Sequence, residues 1–169
     1  MLTSHELFGF MSPTLANEII TFIFETEKAT YRATLNGVAE SRHVRPVFLE
    51  RQAKTQRHAT MISALGKPAL EMIAGNLIRT WLLKKYKGML VDFLNALEIK
   101  NEEGVVEDLP AGVDDAKLKS AVDVLLAKYP HEAVAVYLNA FNDMNEANWA
   151  NLKTTLESDA RLQLGATAG

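Results

Sequence analysis

Residues 68–97 read PALEMIAGNLIRTWLLKKYKGMLVDFLNAL, and this stretch decides the fold class. Leu70, Ile73, Leu77, Ile78, Trp81, Leu82, Met89, Leu90, Phe93, Leu94 and Leu97 recur at three- and four-residue spacing. That period belongs to a helix with a wide buried stripe. Its polar edge is narrow: Asn76, Thr80, Lys84, Lys87 and Asn95. The spacing predicts one long central helix, packed on more than one side, with Gly88 as the point for any bend.

The same period continues outward in both directions. Towards the N-terminus a short helix is expected from His5 to Met11. Ser12 then caps a helix that opens on Pro13, where the missing N–H costs nothing. Its apolar face runs from Leu15 to Phe24 and is expected to continue past Tyr31 and Leu35. Asn36-Gly37 either ends that helix or is absorbed into it. The corner His43–Pro46 precedes a helix expected over 46–65, because a residue before proline avoids helical geometry. Gly66-Lys67-Pro68 is a stop and restart.

Towards the C-terminus, residues 98–113 are expected to form a loop, with Val105-Val106 as a brief extended piece plugging the core. Asp114-Asp115 place carboxylates at the start of a further helix, where the helix dipole favours them. Two more helices are expected, one opening at Pro130 and one from Asn148 to Ala160. Trp81 and Trp149 fall on apolar stripes and read as core residues. The fold class is therefore all-α: a single-domain bundle of about six or seven helices over 1–164, with a disordered tail at 165–169.

Two stretches echo each other. Leu82-Leu83-Lys84-Lys85-Tyr86 precedes Phe93-Leu94-Asn95-Ala96-Leu97, then Asn101-Glu102. Leu125-Leu126-Ala127-Lys128-Tyr129 precedes Tyr137-Leu138-Asn139-Ala140-Phe141, then Asn145-Glu146. Offsets of this size occur in stacked helical pairs, so a two-fold internal helical-pair repeat is one reading. Chance likeness between amphipathic helices is the other.

The composition excludes some chemistry. With no cysteine, disulfides, thiolate metal sites and thiol catalysis are out, and a reducing cytoplasm suits the chain. The N-terminus carries no basic segment ahead of an apolar stretch, so no signal peptide is expected. No motif specifies a reaction: Gly-x-Ser-x-Gly and Gly-x-Gly-x-x-Gly are missing, and Gly66-Lys67 runs into Pro68 instead of forming a phosphate loop. His5, His43, His58 and His131 stand neither three nor four residues apart, so helical His–His metal pairs are not expected. The acidic loop around Gly104 fails as a calcium loop, since Ile99 and Pro110 occupy ligand positions. No cofactor is expected.

Charge supplies the lead on partners. From Arg32 to Lys87, eleven Lys and Arg stand against three acids; from Gly88 onward, six stand against fourteen. The net charge of −3 conceals this asymmetry, which bears on association and not on fold. On the expected 46–65 helix, Arg51, Lys54 and His58 share a face with Arg57 beside it, and Arg42, His43 and Arg45 lie at the corner before it. These seven residues are the candidate anion- or partner-binding set. Guanidinium forks suit bidentate oxygen recognition. A solvated face, or one neutralised by the acidic half, explains the same residues. The pI of about 5.8 and the lack of aromatics between Phe48 and Trp81 argue against nucleic acid. The expected function is a non-enzymatic protein-interaction or self-association module. The alternative is a binder of phosphate-bearing ligands or nucleic acid.

Overall fold

Each predicted helical pattern becomes helix in the computed structural model, which describes residues 1–165. The described residues contain ten α-helices and no strand; the one piece of β-pairing is an isolated bridge between Glu102 and Val105. None of these helices is long and apolar enough to cross a membrane. The tail expected at 165–169 lies, from residue 166 on, outside the described residues.

The helices outnumber the six or seven expected because three long patterns are each divided. The first becomes α2 (Pro13–Thr26) and α3 (Lys28–Ser41), parted at Glu27. The 46–65 pattern becomes α4 (Pro46–Glu50) and α5 (Lys54–Leu65). The 68–97 pattern becomes a 3-10 turn (Pro68–Leu70), α6 (Glu71–Lys85) and α7 (Lys87–Ala96), with the break at Tyr86 and not at Gly88. The expected long central helix is therefore two helices, of 15 and 10 residues.

The division of 46–65 has a physical cause. Leu49 is buried in α4, and His58, Met61 and Leu65 are buried in α5. On one straight helix Leu49 would lie about 180° from His58 and about 160° from Leu65. A continuous helix would leave one of these groups in water. Breaking at Arg51–Ala53, where Ala53 turns extended (ψ 144°), lets both face inward.

Contacts divide the chain into two compact units, Leu2–Trp81 and Leu82 onward with Met1. In the first, α1 (Ser4–Phe10), α2, α3, α4 and α5 surround a core of Leu7, Ile19, Ile20, Ile23, Leu35, Val38, Met61 and Leu65. Ser12 caps α2 as expected, its hydroxyl accepting from the Leu15 N–H at 3.1 Å. The Glu71 carboxylate accepts from the N–H groups of Ser4 and His5 at 2.9 and 2.8 Å. It thereby satisfies donors that the start of α1 leaves open. Asn36-Gly37 is absorbed into α3. A Cβ on Gly37 would lie 2.1 Å from Ile73 Cδ1, so glycine permits that close approach.

The second unit holds α7, α8 (Asp115–Lys128), α9 (His131–Asn145) and α10 (Ala150–Ser158). Asp114 caps α8 through the Lys117 N–H at 3.3 Å. Both echoed stretches form the same local structure: a helix end, a tyrosine between helices, then a helix. Tyr86 and Tyr129 meet edge to face at 6.3 Å, and the echoed pair Phe93 and Tyr137 at 5.5 Å.

The loop at 98–113 is present, but Val105 does not plug the core; it is 56% exposed. Glu102 and Val105 exchange backbone hydrogen bonds of 2.9 and 3.0 Å, which consumes their pairing groups in a tight turn. Glu103 (φ 51°) and Gly104 (φ 87°) occupy its centre, the left-handed pair such a turn requires. A Cβ at Gly104 would also sit 2.9 Å from Leu90 Cβ. Gly104→Ala is expected to lower the urea midpoint, with a loss of about 1–2 kcal/mol. An unchanged midpoint would refute the strain assigned to this turn.

Candidate functional site

The seven candidate residues fall into two groups, because the break between α4 and α5 takes Arg51 off the face expected to carry Lys54 and His58. The first group is the corner formed by the end of α3, the link to Pro46, and α4. Arg42, His43, Arg45 and Arg51 are all exposed there. Their side chains make no hydrogen bond or ion pair among the described residues. His43 holds φ 56°, and its N–H donates to the Glu40 carbonyl at 3.1 Å, which turns the chain off α3. Pro46 then starts α4 at the first helical position.

Apolar side chains are interleaved with these cations. Val44, Val47 and Phe48 are 39%, 38% and 57% exposed. Leu49 alone in α4 is buried, so the short helix is anchored at one point and presents its other apolar residues outward.

The second group turns the other way, towards α2 and α3. His58 is buried, and its ring lies 5.4 Å from Phe24 and 5.6 Å from Tyr31, both edge to face. Arg57 Nε donates to the Tyr31 hydroxyl oxygen at 2.8 Å, and Arg57 Nη1 donates to the Glu50 carbonyl at 3.3 Å. With its oxygen accepting from Arg57, the Tyr31 O–H points at His58 Nε2, 3.0 Å away. The Lys54 ammonium stands 4.8 Å from the centre of the Phe24 ring, and the Arg57 guanidinium 5.8 Å from it. Such cation–π placement stabilises each charge by about 0.5–1 kcal/mol at partly exposed sites.

Burial pushes the His58 pKa down to about 4, with the charges of Arg57 and Lys54 adding to the effect. At neutral pH the imidazole is therefore uncharged and accepts through Nε2. A cleft of about 590 Å³ opens beside this network, with Phe24, Lys28, Tyr31 and Arg57 in its walls. Arg32 and Glu50, joined as an ion pair, also line it.

Phe24, Lys28, Tyr31, Arg32 and Glu50 were not among the sequence candidates. The lack of aromatics between Phe48 and Trp81 suggested cations without stacking partners. The partners come instead from 26 residues or more upstream, on α2 and α3. The one available signal was the seven-residue spacing of Phe24 and Tyr31, which reads equally well as core.

In the second unit the acidic loop borders a cleft of about 580 Å³ that includes Glu98, Asp108, Asp114 and Lys117. Lys117 pairs with Glu98, and its hydrogen bond holds that carboxyl below the usual range. No group of three or more His, Asp or Glu able to hold a metal ion occurs among the described residues. No protein-family model matches this chain, and no curated protein or solved structure does either.

Proposed function

We propose that the chain is a non-enzymatic binding module whose corner at residues 42–51 docks on an acidic protein surface. One observation carries the reading. Three arginines without a partner among the described residues alternate with exposed Val44, Val47 and Phe48. Exposed apolar side chains beside arginine are the chemistry of interface hot spots, where an aromatic fills a pocket and a guanidinium pairs with carboxylates. Phosphate-backbone binding needs the cations but has no use for the two valines, and Phe48 is a single stacking ring.

A second copy of the chain is the simplest acidic surface. Its residues from 88 onward carry fourteen acids against six bases. Such a contact joins the basic face of one copy to the acidic face of another. The absence of cysteine suits action in a reducing cytoplasm, which is where we place it.

Light scattering tests the reading. The expected mass at low salt exceeds the monomer and falls as salt approaches about 0.5 M, where charge attraction is screened within a few ångströms. Arg45→Glu with Arg51→Glu is expected to weaken association at least roughly tenfold, and Phe48→Ser comparably. A monomeric mass at every salt concentration defeats self-association. Retention on heparin by that same monomer would shift the reading to a phosphate-bearing or nucleic acid ligand.

A further inference from the structure

We propose that the cleft floored by Phe24 and Tyr31 binds a small organic monoanion: a carboxylate carried on an aromatic or aliphatic body. Its volume of about 590 Å³ lies in the range of small-molecule sites. Such sites combine apolar walls with a few fixed polar groups, and this cleft has both. Phe24, Tyr31 and Leu35 supply the apolar surface.

Arg57 supplies the fixed polar group. Two of its N–H groups are committed, one to Tyr31 and one to the Glu50 carbonyl, so the guanidinium is held in place before any ligand arrives. Its Nη2 makes no hydrogen bond among the described residues. The Nη1–Nη2 end is therefore left to grip a carboxylate with two parallel bonds. Lys28 lines the same cleft and has no hydrogen bond or ion pair among the described residues.

The charge balance selects the ligand class. Three cations line the cleft (Lys28, Arg32 and Arg57) against two carboxylates, Glu25 and Glu50. The excess of one positive charge suits a single negative charge. A polyphosphate would place further negative charge against Glu25 and Glu50. The neutral His58 behind the two rings adds no charge at pH 7.

The test is ligand-observed saturation-transfer NMR, with an isothermal titration for affinity. The probes are cinnamate and octanoate, with cinnamamide as the neutral isostere and inorganic phosphate and pyrophosphate as competing anions. Saturable binding of cinnamate or octanoate is expected, with cinnamamide roughly tenfold weaker or worse, because the charge-assisted pair is lost. Arg57→Gln should weaken the carboxylates by a similar factor. Since Arg57 also braces Tyr31, exposed Lys28→Gln serves as a second variant and should weaken them roughly threefold. The proposal is overturned if no carboxylate binds saturably or if cinnamamide binds as well as cinnamate. It is equally overturned if pyrophosphate is preferred, or if neither substitution changes carboxylate affinity. Since the salt-dependent mass in light scattering reports on the corner alone, failure here and failure there are separable.

Discussion

Phe93→Ala will cost about 3–5 kcal/mol, a large share of the stability of a domain of this size. The Phe93 ring, on α7, is fully buried. It meets Tyr137 at 5.5 Å and Phe141 at 5.3 Å, both on α9 and both near perpendicular. Phe141 in turn meets Trp149 at 5.2 Å. Truncation loses the transfer free energy of the ring and opens a cavity that rigid neighbours cannot fill. It also removes two edge-to-face contacts worth about 0.5–1.5 kcal/mol each beyond their area. Urea unfolding followed by circular dichroism should show the loss, with a melting temperature roughly 10 °C lower. Phe93→Leu keeps most of the volume and should cost less than about 1.5 kcal/mol. A loss below about 1 kcal/mol for the alanine variant would contradict the buried cluster.

Acidification from pH 7 to 5 will destabilise the protein by about 2 kcal/mol through His58 alone. The sign follows from where protons bind. In the unfolded chain the imidazole takes a proton near pH 6.5. In the folded chain it stays neutral until about pH 4. Between those values the unfolded state holds the extra proton, so falling pH favours unfolding. The stabilisation is complete above pH 6.5, shrinks as pH falls, and is gone by about pH 4. Protonation would force an N–H against the Tyr31 hydroxyl, which already accepts from Arg57, and would place a third positive charge beside Arg57 and Lys54.

The carboxylates held below their usual range, such as Asp92 hydrogen-bonded by Lys128 and Tyr129, lose stability at lower pH than this window. Comparing wild type with His58→Gln therefore isolates the histidine. The variant's stability should be flatter between pH 7 and 5 by about 2 kcal/mol. In NMR the His58 ring should not titrate above about pH 5. A midpoint near pH 6.5 would show it open to solvent.

Helix class, helix caps and the outer bounds of several patterns were legible without coordinates; the breaks inside the long patterns were not. Ser12, Pro13 and Asp114 act where their local chemistry places them, because a cap is a contact between residues two or three apart. The breaks at Glu27, Arg51–Ala53 and Tyr86 contain no glycine or proline. Gly37, which could equally end a helix or be absorbed into one, and Gly88, which read as the point for a bend, both lie inside helices. Glycine in a helix costs about 1 kcal/mol relative to alanine, and close packing outweighs that cost. At Gly37 it admits Ile73, and at Gly88 the Tyr129 hydroxyl would lie 3.3 Å from an added Cβ. A glycine selected for close approach looks, in the sequence, the same as one selected to end a helix.

The candidate residues show the same limit. Arg42, Arg45 and Arg51 were recognisable as cations in a local excess. Their freedom from carboxylate partners among the described residues, and the exposure of Val47 and Phe48 beside them, depend on which face of α4 is anchored. The pairing of Arg57 and His58 with Phe24 and Tyr31 joins residues 26 to 34 apart.

What the chain determined unaided is its all-helical character, its capping chemistry and its unequal charge, since each arises from neighbours within one or two turns. What tertiary structure decided is where helices break, which cations stay open to solvent, and that a histidine lies neutral against two rings. Those outcomes depend on burying apolar faces that one straight helix would point in opposite directions, and no local pattern encodes that requirement.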